Sequence, residues 1–174
     1  SLQYGNLKAS FGKTVVDGML EPLLTRGTDR MDKNAIADRL TELKVQGDLF
    51  SFTCTHDKLS EALSFMGNLI VASTFPDKEV TQYARQYATA LAAKSDDPIT
   101  LSRDALVRHF RLYPVGDPRN TLTTQEIMQE LKSVDRKACY DWYRNVFSTE
   151  HGALAVIGDF DAKAVRSVLE RTLG

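Results

Sequence analysis

The stretch GMLEPLLTRGT, Gly18 to Thr28, carries a carboxylate, Glu21, at the centre of an apolar helical pattern. A glutamate between two metal ligands on one helical turn can act as general base toward a metal-bound water. The neighbours that would serve as ligands here are Gly18 and Pro22, and neither side chain can bind a metal. The three histidines, His56, His109 and His151, offer no substitute. None has a second histidine or cysteine at i+3 or i+4, the spacing that puts two zinc ligands on one helix face. They are expected to be surface or structural residues.

Other chemistries fare no better. The two cysteines, Cys54 and Cys139, form no CxxC pair, which argues against a zinc ribbon or a redox motif. They read as two buried free thiols, and the sequence leaves a disulfide between them open. There is no GxSxG elbow, no GxGxxG and no GxxxxGK[ST], so neither an acyl-transfer serine nor a phosphate cradle has support. Asp96-Asp97 precedes Pro98 and is expected to serve a loop. Arg103, Arg108 and Arg111 make a basic helix face, either solvated or set against an acidic partner.

These residues must be placed by a helix-rich chain. Thr14 to Arg26 is expected to be helical, with Val15, Val16, Met19, Leu20, Leu23 and Leu24 inward and Gly27 at its end. Pro22 lies inside it, so a kink or a later start is expected. Helices follow after Asp32, after Asp57, from Asp77 to the Ser95–Pro98 break, and over Ile99 to Leu112. Others cover Thr124 to Leu131, the segment after Asp135 with Cys139, Trp142, Tyr143 and Phe147, and the segment after Asp161. Strands are expected at Leu7 to Phe11, Asp48 to Thr55 and Gly152 to Ile157, the run GALAVI. Helices and strands do not alternate, so the expected class is α+β, a mostly antiparallel sheet with helices on one face.

The chain has 174 residues, 43% hydrophobic and 26% charged, with a net charge of -1. This suggests one domain over 1–174 with a real core. The charge argues against a general nucleic-acid binder. No run approaches the ~20 apolar residues of a membrane span. Both ends read as cuts within a longer protein.

Several fragments then fall in order: GNLKASFGK, MLEPLLTRGT, STFPDKE, SDDP, YPVGDPRNT, and ALAVIGDFDAKAV closing on LERTLG. Together they resemble the pitrilysin-type, or inverzincin, zinc metallopeptidases, the family of insulin-degrading enzymes and mitochondrial processing peptidases. The resemblance covers nearly the whole chain, and the closing VIGDFD with its helix is its most specific part. It implies a helix reading HxxEH, with two zinc-binding histidines and a glutamate base. Anchored on Gly27-Thr28, the histidine positions fall on Gly18 and Pro22 and the base on Glu21. The third ligand position falls at Thr89 or Ala90.

The resemblance therefore implies a degenerate site and a metallopeptidase-like fold. It implies the first domain of the inactive half of a larger protein. No cofactor is expected in this chain; zinc belongs to the catalytic domain of the parent or partner. Glu21 is expected to face solvent or to cap. The partners implied are the catalytic domain or subunit and a peptide substrate. A periplasmic location is favoured, with the cytoplasm compatible. The alternative is a scaffold or assembly subunit of a wholly inactive homologue. The segment Gln46–His56 is shorter than the family's hairpin, so a reduced sheet or a missing loop is expected there.

Overall fold

The structure, a computed structural model, describes residues 10–145 and 154–173. In chain order the elements are α1 (Thr14–Leu24), α2 (Lys33–Glu42), β1 (Gln46–Gly47), β2 (Phe52–Thr53), α3 (Leu59–Ala72), α4 (Asp77–Ala92), α5 (Pro98–His109), α6 (Thr124–Leu131), α7 (Arg136–Asn145) and α8 (Ala162–Leu173). A 3-10 turn, His56–Lys58, leads into α3. The described residues fall into two compact units. One holds residues 21–75 and 154–173, the other residues 10–20 and 76–145.

In the first unit, α3 packs against α8. Leu63, Val165 and Val168 are buried together, with Phe52, Leu59, Val156, Phe160 and Leu169 around them. The end of α1 contributes Leu23 and Leu24, both fully buried, and α2 contributes Ile36. Asp32 caps α2 by accepting from Ala35 N at 2.9 Å. The same helix closes through Lys44 N to Thr41 O and Val45 N to Leu40 O, with Lys44 at φ 54. This is a Schellman closure in which lysine occupies a position that usually takes glycine. Gly27, the residue expected to stop α1, is instead bridged to Asp32 and accepts from Thr74 N at 3.1 Å.

In the second unit, Val15, Val16, Met19 and Leu20 of α1 are buried, as are Val80, Leu131, Cys139 and Trp142. Helix α4 contacts α6 and α7. Trp142 donates its indole N–H to Asp17 at 3.2 Å, and Val15 N donates to Glu130 at 3.2 Å. Asp97, one of the paired aspartates, caps α5 by accepting from Thr100 N at 3.0 Å, with Pro98 in the first turn.

The sheet departs most from expectation. Among the described residues it has two strands, β1 and β2, paired antiparallel with Gln46 opposite Thr53 and Gly47 opposite Phe52. Among the described residues the expected antiparallel sheet is one small hairpin, and helices dominate, which is loosely compatible with the α+β class. Asp48 to Thr55 is not one strand because its first half is a turn. Asp48 accepts from Ser51 N at 2.7 Å and from Phe50 N at 3.1 Å. Gly47 is obligatory there, since a Cβ would lie 2.3 Å from Ser51 O and its φ is 116. Leu154 to Ile157 is not in a strand, and Ile157 is 96% exposed. The apolar run is present, but no neighbouring strand among the described residues gives it a ladder. Of the expected strand at Leu7 to Phe11, residues 7–9 lie outside the described residues, and Ser10 and Phe11 are in a turn.

A polar joint fixes α6. Thr123 accepts from Glu126 N, and the Glu126 carboxylate accepts from Thr123 N, closing a capping box. The same carboxylate pairs with Arg111 at 2.7 Å. Arg111 first, with help from Thr123, holds the Glu126 carboxyl down to about 2 from 4.5, against the opposing effect of burial. A depressed carboxyl stabilises the fold above its unfolded value and loses that contribution as pH falls through its folded value. Glu126→Gln should therefore lower stability at neutral pH by about 1–2 kcal/mol, discounted for partial exposure. The difference from wild type should shrink between pH 4.5 and about 2. Urea melts of both proteins across that window check it; a constant difference would refute the assignment.

Candidate functional site

Helix α1 begins at Thr14, as its apolar pattern predicts, and keeps Pro22 inside it. The helix does not start late. Pro22 lacks the N–H that would reach the carbonyl of Gly18, and the helix ends two residues further on, so the lost bond falls in its last turn. Gly18 is exposed, and a Cβ there would meet nothing within 4 Å. Its carbonyl therefore has access to water. The end of the helix is tied by Thr25 Oγ1 donating to Pro22 O at 3.1 Å.

Glu21, expected to face solvent or to cap, does neither at its own helix. It is half-buried and accepts from Phe50 N at 3.2 Å. Its contact is thus with the hairpin turn, where it shares the Phe50 N–H with Asp48. Burial is the main cause of a raised Glu21 pKa, the Asp48 carboxyl adds to it, and the Phe50 N–H works against it. Glu21 lies three residues from both the exposed Gly18 and the buried Leu24, and the hairpin turn at Phe50 is what meets it.

A raised carboxyl favours its protonated form in the fold, so its contribution is full below 4.5 and is lost as pH rises through the folded value. Glu21→Gln keeps an acceptor for Phe50 N and removes the repulsion with Asp48. The variant should be neutral or more stable by about 0.5 kcal/mol at pH 7, a small effect because the pair is partly solvated. A thermal melt that drops by several degrees would show that the charge itself is needed.

The donor set at the degenerate motif does not fit a zinc ion. Gly18 and Pro22 have no donor atom, and Glu21 already serves the hairpin. Catalytic zinc normally takes three protein ligands. Thr89 and Ala90 are exposed on α4; threonine and alanine are not zinc ligands. Among the described residues no group of three or more His, Cys, Asp or Glu is arranged to hold a metal.

The remaining candidates are accounted for locally. His56 Nδ1 lies 2.6 Å from Asp159 O, joining the turn before α3 to the turn before α8. The His109 ring meets Phe110 edge-on at 4.9 Å. His151 lies outside the described residues. Both thiols are free, Cys54 half-buried and Cys139 buried. Burial pushes the Cys139 thiol up to about 11, with Asp135 adding to it, and burial likewise raises Cys54. A nucleophilic cysteine needs the opposite shift.

The expected basic face is largely neutralised within the chain. Arg103 pairs with Asp104 at 2.6 Å and Arg111 with Glu126 at 2.7 Å; Arg108 is exposed. Asp104, 7% exposed, also accepts from Thr124 N at 2.9 Å. Burial tends to raise its carboxyl, but Arg103 and Thr124 together hold it below its ordinary value.

Sequence reasoning passed over a second cluster, in the loop Tyr113–Asn120. Arg119 lies 3.8 Å over the Tyr113 ring and is gripped by both oxygens of Asp117, at 2.9 and 2.7 Å. Asn120 donates to Tyr113 O and Pro114 O at 3.0 and 2.7 Å. The prolines and glycine marked a loop, but nothing in the spacing indicated that it would be so tightly tied. For Glu126 a signal did exist, since Thr123 and Glu126 have capping-box spacing.

No helix among the described residues is long and apolar enough to cross a membrane. No protein-family model and no curated protein matches this sequence.

Proposed function

We propose that this chain is a non-catalytic domain of a pitrilysin-type zinc metallopeptidase, the first domain of its inactive half. Its role is to form part of the wall of the peptide chamber and to contact the catalytic half. Zinc is held by that catalytic domain, or by a partner subunit, and a periplasmic setting suits the assembly. The support is the ordered set of sequence fragments. The observation that carries the reading is α1, which has Gly18 and Pro22 at the two histidine positions while Glu21 is occupied in bracing a turn. Such a helix keeps its apolar stripe for packing after its chemistry is gone.

Calorimetric titration with zinc tests this. No stoichiometric binding is expected from the full chain. A tight one-to-one site, abolished by Glu21→Gln, would overturn the proposal. An HxxEH motif in the parent polypeptide or in a partner subunit is also expected; its absence from both would replace a peptidase role with that of a scaffold.

A further inference from the structure

Helix α5 is amphipathic in the wrong sense for its own unit. Its buried residue is an aspartate, Asp104, whereas Ile99, Leu106 and Phe110 are 79, 57 and 68% exposed. These three stand at i, i+7 and i+11, the spacing of a single stripe along a helix. A hollow of about 410 Å³ runs along it, lined by Pro98, Ile99, Ser102, Arg103 and Leu106. A second, of about 300 Å³, shares Leu106 and continues past Phe110 to Leu112 and Tyr113. Leu112 is 84% exposed. The helix is tied to its unit through Asp104, which accepts from Thr124 N, and its apolar stripe stays exposed.

We infer that this stripe is the interface of a homodimer in which α5 of one copy packs against α5 of a second. Area supports a second copy. Ile99, Leu106, Phe110, Leu112 and Tyr113 are all exposed; together they offer roughly 600 Å², so two copies can cover at most about 1,200 Å² with these residues, the lower edge of a standard stable interface. Charge supports it too. Arg103, Arg111 and Arg119 flank the stripe, and each is neutralised by a carboxylate of its own chain, Asp104, Glu126 and Asp117. The face has little field to draw an acidic partner and little to repel its own copy. Arg108 projects about two hundred degrees around the helix from Leu106, off the stripe. A two-fold arrangement sets Ile99 of one copy against Phe110 of the other, with the small Ser102 allowing close approach. This inference does not depend on any relation to a peptidase.

Sedimentation equilibrium of the full chain tests it. Dimers are expected with a micromolar dissociation constant, and Ile99→Asp and Phe110→Asp should each weaken them at least about tenfold. Both positions are exposed, so thermal midpoints measured at concentrations well below the dissociation constant, where the wild type is monomeric too, should stay unchanged, which separates lost association from lost folding. A monomer throughout the range overturns the inference. So does a dimer that neither variant weakens, or a monomer that binds anionic lipid vesicles through these residues.

Discussion

Phe75→Ala is expected to cost about 3–5 kcal/mol, the loss typical of a fully buried phenylalanine. That is a large part of the ~5–15 kcal/mol that holds a domain together. Phe75 is 0% exposed and heads the fully buried side chains by volume. Its backbone makes the case sharper. Phe75 stands at φ 48, a left-handed conformation that costs a residue with a Cβ about 1–2 kcal/mol, and Pro76 follows it. The buried ring outweighs that strain. Phe75→Gly loses the same ring but escapes the strain, at a cost of about 0.4–1 kcal/mol from the more flexible unfolded chain. The glycine variant should therefore be at least as stable as the alanine variant. At an ordinary extended or helical position glycine would be the worse of the two. Urea denaturation of both proteins decides it, and a glycine variant clearly below alanine would show that Phe75 is unstrained.

The second large effect is expected at Gly67, in the middle of α3. On helix propensity alone, Gly67→Ala should gain about 1 kcal/mol. Packing reverses the sign. A Cβ on Gly67 would lie 2.4 Å from Thr172 Cγ2 and 3.1 Å from Thr172 Cβ. Thr172 is poorly placed to yield, because its hydroxyl donates to Val168 O at 2.7 Å and a β-branched side chain on a helix has few rotamers. Gly67→Ala should therefore destabilise by about 1–3 kcal/mol. Thr172→Ser deletes the methyl and keeps the hydroxyl. In the alanine background it should recover much of the loss, with a coupling energy of about 1 kcal/mol or more. Additive single effects would mean that α3 and α8 do not approach so closely.

What the sequence reveals follows the range of the interactions involved. Helices α2, α6 and α8 are written in local spacing and in caps such as Asp32, Thr123 and Asp161, whose bonds reach only three residues. The hairpin was half legible: Phe52 and Cys54 suggested a strand, while the side-chain bonds of Asp48 that turn the chain did not show in the apolar pattern. Leu154 to Ile157, the described part of GALAVI, forms no strand, because pairing belongs to the partner strand as much as to the segment. At the degenerate motif the missing ligands could be read directly. The fate of Glu21 could not, since its partner Phe50 is 29 residues away. The exposed side of α5 was equally hidden, because periodicity reports that a stripe exists and not what covers it.

The pairing of α3 with α8 also bears on how the chain acquires its structure. The two helices are separated by the whole of 73–161, and 76–145 folds into the other unit. During synthesis α3 emerges long before the helix that covers it, while α4 to α7 and the residues 10–20 that share their unit have all emerged before α8. That unit is thus expected to be ordered while Leu63 of α3 is still waiting for its cover. Over that interval the first unit is the segment most in need of a chaperone.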